Sequence, residues 1–159
     1  MPAAAASAKA AGFADLTDAR VAPLYNSPVD PQRLEDIARR HGITLILRFG
    51  SSVAGLARPE SDLDLAVLLE RVPATLDQYL DLVHDLQTTV PEREVDVAVL
   101  NTADPLFLKK ITERCVLVYG SSRRLQEFKM HALKRYQDHR KYLALEREYV
   151  ARALRKTAR

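Results

Sequence analysis

Asp62 and Asp64 are separated by a single leucine in the run Ser61-Asp-Leu-Asp-Leu-Ala-Val67. If this run is a strand, residues i and i+2 project from one face, so the two carboxylates stand side by side. Crowded carboxylates raise each other's pKa, and both ionise readily only when a cation neutralises them. Oxygen donors of this kind suit a hard ion such as Mg²⁺, especially where phosphate oxygens complete its shell. The run Glu94-Val-Asp96-Val-Ala-Val99 repeats the parity, with valines on one face and Glu94 and Asp96 on the other. Should the two strands be neighbours, Asp96 joins the pair, and three carboxylates can bridge two metal ions. Such a centre activates an attacking hydroxyl and steadies a leaving pyrophosphate.

A phosphate-binding turn is legible upstream. Gly50-Ser51 follows an apolar run, and ten residues separate Ser51 from Asp62. Backbone N–H groups where a helix begins, with the Ser51 hydroxyl, would cradle a phosphate, and Gly50 lets that phosphate approach the backbone. Ser61, beside Asp62, is a further candidate for nucleotide binding or for capping a turn. A P-loop is excluded. Gly50 and Gly55 have the right separation, but Leu56 and Ala57 stand where Lys and Ser/Thr are required.

Regular elements must hold these groups in place. Asp30-Pro31 is an N-cap with Pro at the first helical position and Gly42 is a C-terminal stop, which predicts a helix between them with Leu34, Ile37 and Ala38 inward. Strands are expected at Ile43–Phe49, Asp62–Leu69, Glu94–Leu100 and Cys115–Tyr119. Helices are expected at Leu76–Thr89 and from Asp104-Pro105 onward. No Gly or Pro occurs from Ser121 to Arg159, which permits one helix of roughly 34 residues and about 50 Å. Leu125, Phe128, Ala132, Tyr136, Leu143, Val150 and Leu154 share one stripe of it, and Tyr142, Leu145 and Tyr149 form a second stripe in the distal half. The sum is an α+β (mixed α/β) chain: a small mixed sheet flanked by helices, with a long C-terminal helix.

The 159 residues suit one domain, and with 47% hydrophobic and 28% charged residues the composition is ordinary for a globular protein. One cysteine excludes an intrachain disulfide and a cysteine-based metal cluster. No apolar run is long enough to span a membrane, and the expectation is a cytoplasmic protein. Residues 1–26 read as a flexible tail, 27–120 as the catalytic core and 121–159 as a basic helix for packing and partner binding. Residues 121–159 hold 12 Lys/Arg against 4 Asp/Glu, whereas 1–120 hold 12 against 17. A basic tail on an acidic body suggests an acidic partner, either protein or nucleic acid. His41, His84, His131 and His139 show no metal-binding spacing and read as surface residues. Cys115 reads as part of the core.

Gly50-Ser51, then Asp62-x-Asp64, then Asp96 on a later strand resembles the nucleotidyltransferase fold of the DNA polymerase β superfamily. Over residues 30–155 the chain is similar to the minimal nucleotidyltransferase (MNT) antitoxins of HEPN/MNT toxin–antitoxin systems. The resemblance implies that Gly50 and Ser51 form the nucleotide-phosphate turn, and that Asp62, Asp64 and Asp96 are catalytic metal ligands for two Mg²⁺ ions. It further implies ATP as substrate and a cognate HEPN ribonuclease toxin as partner, silenced by transfer of AMP to one of its tyrosines. The chain departs from the family pattern at Ser52 and Ala54, where many members carry arginines.

Rival expectations are an antitoxin that acts by binding alone, or a nucleotidyltransferase acting on RNA ends or a small molecule. Aminoglycoside adenylyltransferases share the spacing but need a substantial helical domain, for which the residues after Gly120 leave no room. The chain is not itself a HEPN ribonuclease, since only three residues separate Arg135 from His139, one fewer than an Arg-x4–6-His motif needs. Homo- or hetero-oligomers are compatible with the sequence.

Overall fold

A computed structural model describes residues 30–50, 53 and 62–157 of the protein. The expected tail at 1–26, Ser51, Ser52, Ala54 and Ser61 lie outside the described residues. In order along the chain come α1 (Pro31–His41), β1 (Ile43–Arg48), β2 (Leu63–Leu69), α2 (Leu76–Gln87), β3 (Val95–Val99), α3 (Pro105–Glu113), β4 (Val116–Tyr119) and α4 (Ser122–Thr157). The four strands form one mixed sheet in the order β3-β2-β1-β4. β1 runs antiparallel to both β2 and β4, while β2 and β3 are parallel. This is the expected α+β architecture. Elements end within a residue or two of their expected bounds, and Leu100–Thr102 leaves β3 as a 3-10 turn.

Local chemistry explains the helix ends. The Asp30 carboxylate accepts from the Gln32 N–H at 3.0 Å, and Pro31 begins the helix with its φ already set. Gly42 closes α1 in the left-handed region at φ 63°, where L side chains are strained. Asp104 repeats the device for α3, accepting from Leu106 and Phe107.

Strand parity divides the interior into two cores. Leu63, Leu65, Val67 and Leu69 of β2, with Val95 and Val97 of β3, pack under α1 and α2 against Leu34, Ile37, Leu82 and Leu86. On the other face Leu45, Leu47 and Ala66 pack with Leu108, Ile111, Phe128 and Ala132 of α3 and α4. Asp64 has the parity of Ala66, so its side chain belongs to the α3/α4 face.

Two amide side chains fix the strand ends that matter to the site. Gln87, the last residue of α2, donates from Nε2 to the carbonyls of Val90 (3.0 Å) and Arg93 (2.5 Å), and its Oε1 accepts from the Val95 N–H at 2.9 Å. The side chain therefore sets where β3 begins, and with it the level of Asp96. Asn101 acts similarly at the opposite end of the sheet, bonding both the N–H and the carbonyl of Leu69. His41 is not a free surface residue as expected. Its Nε2 lies 2.7 Å from Asp85 Oδ2, which also accepts from Arg40 at 2.9 Å, and the cluster ties α1 to α2. The His41 hydrogen bond, helped by Arg40 and opposed by partial burial, holds the Asp85 carboxyl below the usual carboxylate range.

α4 is a single helix of 36 residues, about 54 Å at 1.5 Å per residue. Phe128 and Ala132 are buried, but Tyr142, Leu145, Tyr149, Val150 and Leu154 are exposed. The expected first stripe thus meets the core only in its proximal half. Among the described residues no helix is long and apolar enough to cross a membrane.

Gln87 offers a direct test of these local devices. Gln87→Leu keeps the bulk of the side chain but leaves the Val95 N–H and two carbonyls without their partner. We expect a loss of about 2–3 kcal/mol in urea unfolding, with the transition still cooperative.

Candidate active site

The site is the end of the sheet where β1 finishes and where β2 and β3 begin. β1 leads through Phe49 to Gly50, and the Phe49 N–H donates to the Asp64 carbonyl at 3.1 Å. The Leu63 N–H donates to the Glu94 carbonyl at 2.8 Å. β2 and β3 then pair in parallel register, with Leu63 opposite Val95 and Asp64 opposite Asp96. Asp62 immediately precedes β2 and is exposed. The three carboxylates expected from the sequence are therefore gathered at one sheet end, on elements whose hydrogen bonding fixes their level.

Their electrostatics follow from this placement. The Asp64 carboxyl is pushed above the ordinary carboxylate value, first by partial burial and then by the negative charges of Asp96 and Asp62. Asp64 thus feels the charges of both Asp96, opposite it on β3, and Asp62, two residues before it.

Gly50 is the other half of the geometry. Its φ is 73°, in the region that favours glycine, and a Cβ placed on it would lie 2.1 Å from Asp64 Oδ2. The backbone at Gly50 and the Asp64 carboxylate thus touch without room for any side chain between them. The Val53 N–H donates to the Gly50 carbonyl at 3.2 Å, closing a turn. Ser51 and Ser61, the other expected nucleotide contacts, lie outside the described residues.

Phe107 was not expected here. At the start of α3 it packs edge-on against Phe49, with ring centroids 5.8 Å apart and planes at 85°. This pair closes the α3/α4 core beside Gly50 and steadies the residue whose N–H holds the Asp64 carbonyl. The only hint in the sequence is a large aromatic at the third position of a short helix.

Among the described residues, no group of three His, Cys, Asp or Glu side chains is placed to hold a metal ion by itself. The donor chemistry nevertheless fits a hard divalent cation: oxygen ligands, and mutual repulsion that a cation would relieve. Mg²⁺ usually takes one or two carboxylates and completes its shell with phosphate oxygens and water. Asp62 and Asp64 are the residues that could take that role, with Asp96 opposite Asp64.

Asp64 makes the metal-free protein's stability depend on pH in a defined sense. Its folded-state pKa lies above the unfolded value near 3.8, so ionising it costs folding stability at neutral pH, and the cost vanishes below the unfolded pKa. Asp64→Asn should therefore raise the melting temperature of the metal-free protein at pH 7 and leave it unchanged near pH 3. A mutant less stable than wild type at pH 7 would show that the carboxylate is not crowded.

Gly50→Ala makes a second test. The new Cβ must displace the Asp64 carboxylate, so affinity for Mg-ATP should fall by about 10–100-fold while thermal stability falls much less. Titration with a fluorescent ATP analogue, beside a thermal melt, reads both.

Comparison with known proteins agrees with this geometry. The family model described as Polymerase beta, Nucleotidyltransferase matches residues 32–124, a span that includes Gly50, Asp62, Asp64 and Asp96. No curated protein matches the chain in sequence. The fold is similar to that of a toxin–antitoxin complex crystallised with AMP-PNP, at a TM-score of 0.61 and 21% identity, covering 77% of this chain and 96% of that one. It is also similar to a chain of the tri-AMPylated Shewanella oneidensis HEPN toxin in complex with MNT antitoxin, at a TM-score of 0.56 and 19% identity, covering 77% and 93%. The toxin–antitoxin complex MntA-HepT gives a TM-score of 0.55 at 19% identity, covering 77% and 94%. A matching family model over more than half of the chain, on a mixed sheet that brings the expected carboxylates to one end, establishes that the chain belongs to the polymerase β-type nucleotidyltransferase family.

Proposed function

We propose that the protein is an MNT antitoxin that transfers AMP from ATP to a tyrosine hydroxyl of a cognate HEPN ribonuclease and thereby silences it. The observation that carries this reading is the parallel register of Asp64 with Asp96, with the Gly50 backbone packed against the Asp64 carboxylate. It draws support from structural neighbours that are toxin–antitoxin complexes, one with AMP-PNP and one with an AMPylated HEPN toxin.

In this reading the triphosphate lies over the turn at Gly50-Ser51, where glycine admits it to the backbone. Ser51 and Ser61 offer hydroxyl contacts to the nucleotide. Asp62, Asp64 and Asp96 would hold the two Mg²⁺ ions, which when bound supply neutralisation of phosphate charge and acidify the acceptor hydroxyl. Asp96, exposed on β3, would orient that hydroxyl and receive its proton. The tyrosine oxygen forms a bond to the α-phosphorus as the bond from that phosphorus to the oxygen bridging to the β-phosphate breaks. Pyrophosphate leaves with the electron pair, and the tyrosine carries AMP. The chain contributes mainly position and charge, which dominate the barrier in phosphoryl and nucleotidyl transfers.

An antitoxin acting by contact alone is the second reading, favoured by the absence of arginine at Ser52 and Ala54. Transfer of α-labelled AMP to a co-expressed ribonuclease separates the two. Asp62→Asn with Asp64→Asn should lower transfer by about a hundredfold or more, with the fold retained by circular dichroism. Full labelling by that double mutant would refute the carboxylate mechanism, and ribonuclease inhibition without any labelling by wild type would establish contact alone.

A further inference from the structure

The direction of α4 places its exposed half beside the carboxylates. β4 is antiparallel to β1, with Val116 opposite Arg48 and Tyr119 opposite Ile46, so it ends toward the sheet end remote from Gly50. Gly120 follows, packed against Thr44 and Leu45 at the start of β1. α4 therefore starts at the remote end. Tyr136 of α4 contacts Lys109 of α3, two residues along from Phe107, which packs on Phe49 just beyond Arg48. The helix thus rises along β4 toward the end where β1 finishes, and by Lys129 it has covered about 10 Å, the length of that short strand. Beyond the Tyr136 ring, which lies under the Lys109 ammonium of α3, the helix continues past the body.

The helix also lies on the face that carries Asp64, since Phe128 and Ala132 pack in the same core as Ala66. The distal half keeps the phase of this buried stripe: Leu143, Val150 and Leu154 follow Phe128, Ala132 and Tyr136 at helical spacing. Tyr142, Leu145 and Tyr149 widen the stripe on one side. Tyr142 is 63% exposed, Leu145 62%, Tyr149 75% and Leu154 66%. Distal α4 thus carries an exposed apolar face that continues the buried stripe and extends to one side of it.

We infer that distal α4 is a docking arm that binds the protein substrate of the transfer reaction and holds its acceptor segment at the carboxylate edge. The inference deepens the proposed function and rests on it for the identity of the partner, the HEPN ribonuclease, which would present an apolar surface with an acidic rim. Charge and composition favour a foreign protein. Residues 140–157 carry six Lys/Arg and two Glu, so two copies of the arm would repel each other, whereas an acidic rim is attracted. The basic side chains of Arg140 and Arg147 border the apolar stripe next to Leu143 and Leu154. Exposed aromatic anchors with an arginine rim are the composition of an interface centre.

The test uses the full chain with the purified ribonuclease. Leu145→Glu with Tyr149→Glu should weaken binding in calorimetry about tenfold or more, with helix content and affinity for a fluorescent ATP analogue unchanged. AMP transfer should show the loss in KM for the ribonuclease and little in kcat. Met130→Glu, an equally exposed position (65%) about 22 Å before Leu145 along α4, should bind as wild type. Should the first pair unfold the helix, Arg140→Glu with Arg147→Glu tests the rim, with weakening expected at low salt and fading at high salt. Unchanged affinity in a well-folded stripe variant overturns the inference. So does a stripe variant that alters only self-association in sedimentation, or only binding to vesicles containing anionic lipid. Wild type that binds through the stripe but transfers no AMP would refute the transfer reading and uphold the arm. Equal transfer by wild type and stripe variant would do the reverse.

Discussion

Parallel pairing of β2 with β3 sets Asp64 directly opposite Asp96, and the rest of the site answers to the repulsion this creates. A sheet cannot relieve such repulsion by moving one residue, because a one-residue slip would turn Leu63, Leu65 and Val67 out of the α1/α2 core. The apolar core therefore holds the carboxylates together. Asp64 bears the strain, being partly buried and flanked by Asp96 and Asp62. Such a concentration of like charge lowers folding stability at neutral pH, a common arrangement where function and folding compete.

The surrounding devices keep that geometry from relaxing. Gln87 closes the connection into β3 with three hydrogen bonds to backbone, so the level of Asp96 is set from α2. The Phe49 N–H ties the end of β1 to the backbone of Asp64, and the Phe49–Phe107 pair seals the core behind it. Gly50 then has no freedom to be anything else, because any Cβ would strike the Asp64 carboxylate. Core, backbone and active edge are one mechanical unit, and flexibility is left to groups that exchange with solvent, such as exposed Asp62 and Asp96.

α4 belongs to the unit only in part. Its first turns complete the second core, while its last turns carry apolar residues that this chain does not cover. A helix of about 54 Å exceeds the span of a body this size, roughly 35 Å, so some of it must project. Direction decides whether projection has a consequence, and the antiparallel β1–β4 pairing sends it toward the carboxylates rather than away from them.

Much of this was legible in the sequence, because the signals are local. The caps at Asp30 and Asp104, the stop at Gly42, the alternation of valine with Glu94 and Asp96, and the unbroken stretch after Ser121 each depend on a few neighbouring residues. The same-face placement of Asp62 and Asp64 needs only strand periodicity. Tertiary structure alone decided that β3 lies beside β2 in parallel and in the register that pairs Asp64 with Asp96, since the choice of strand neighbour is a long-range matter of how two cores fill. It alone showed that His41 is tied to Asp85 across two helices, where the sequence suggested a surface histidine, and that Phe107 meets Phe49. The extent to which the apolar stripe of α4 is buried was likewise undetermined by periodicity. Spacing says which residues share a face, and only the length and position of the body say how far that face stays covered.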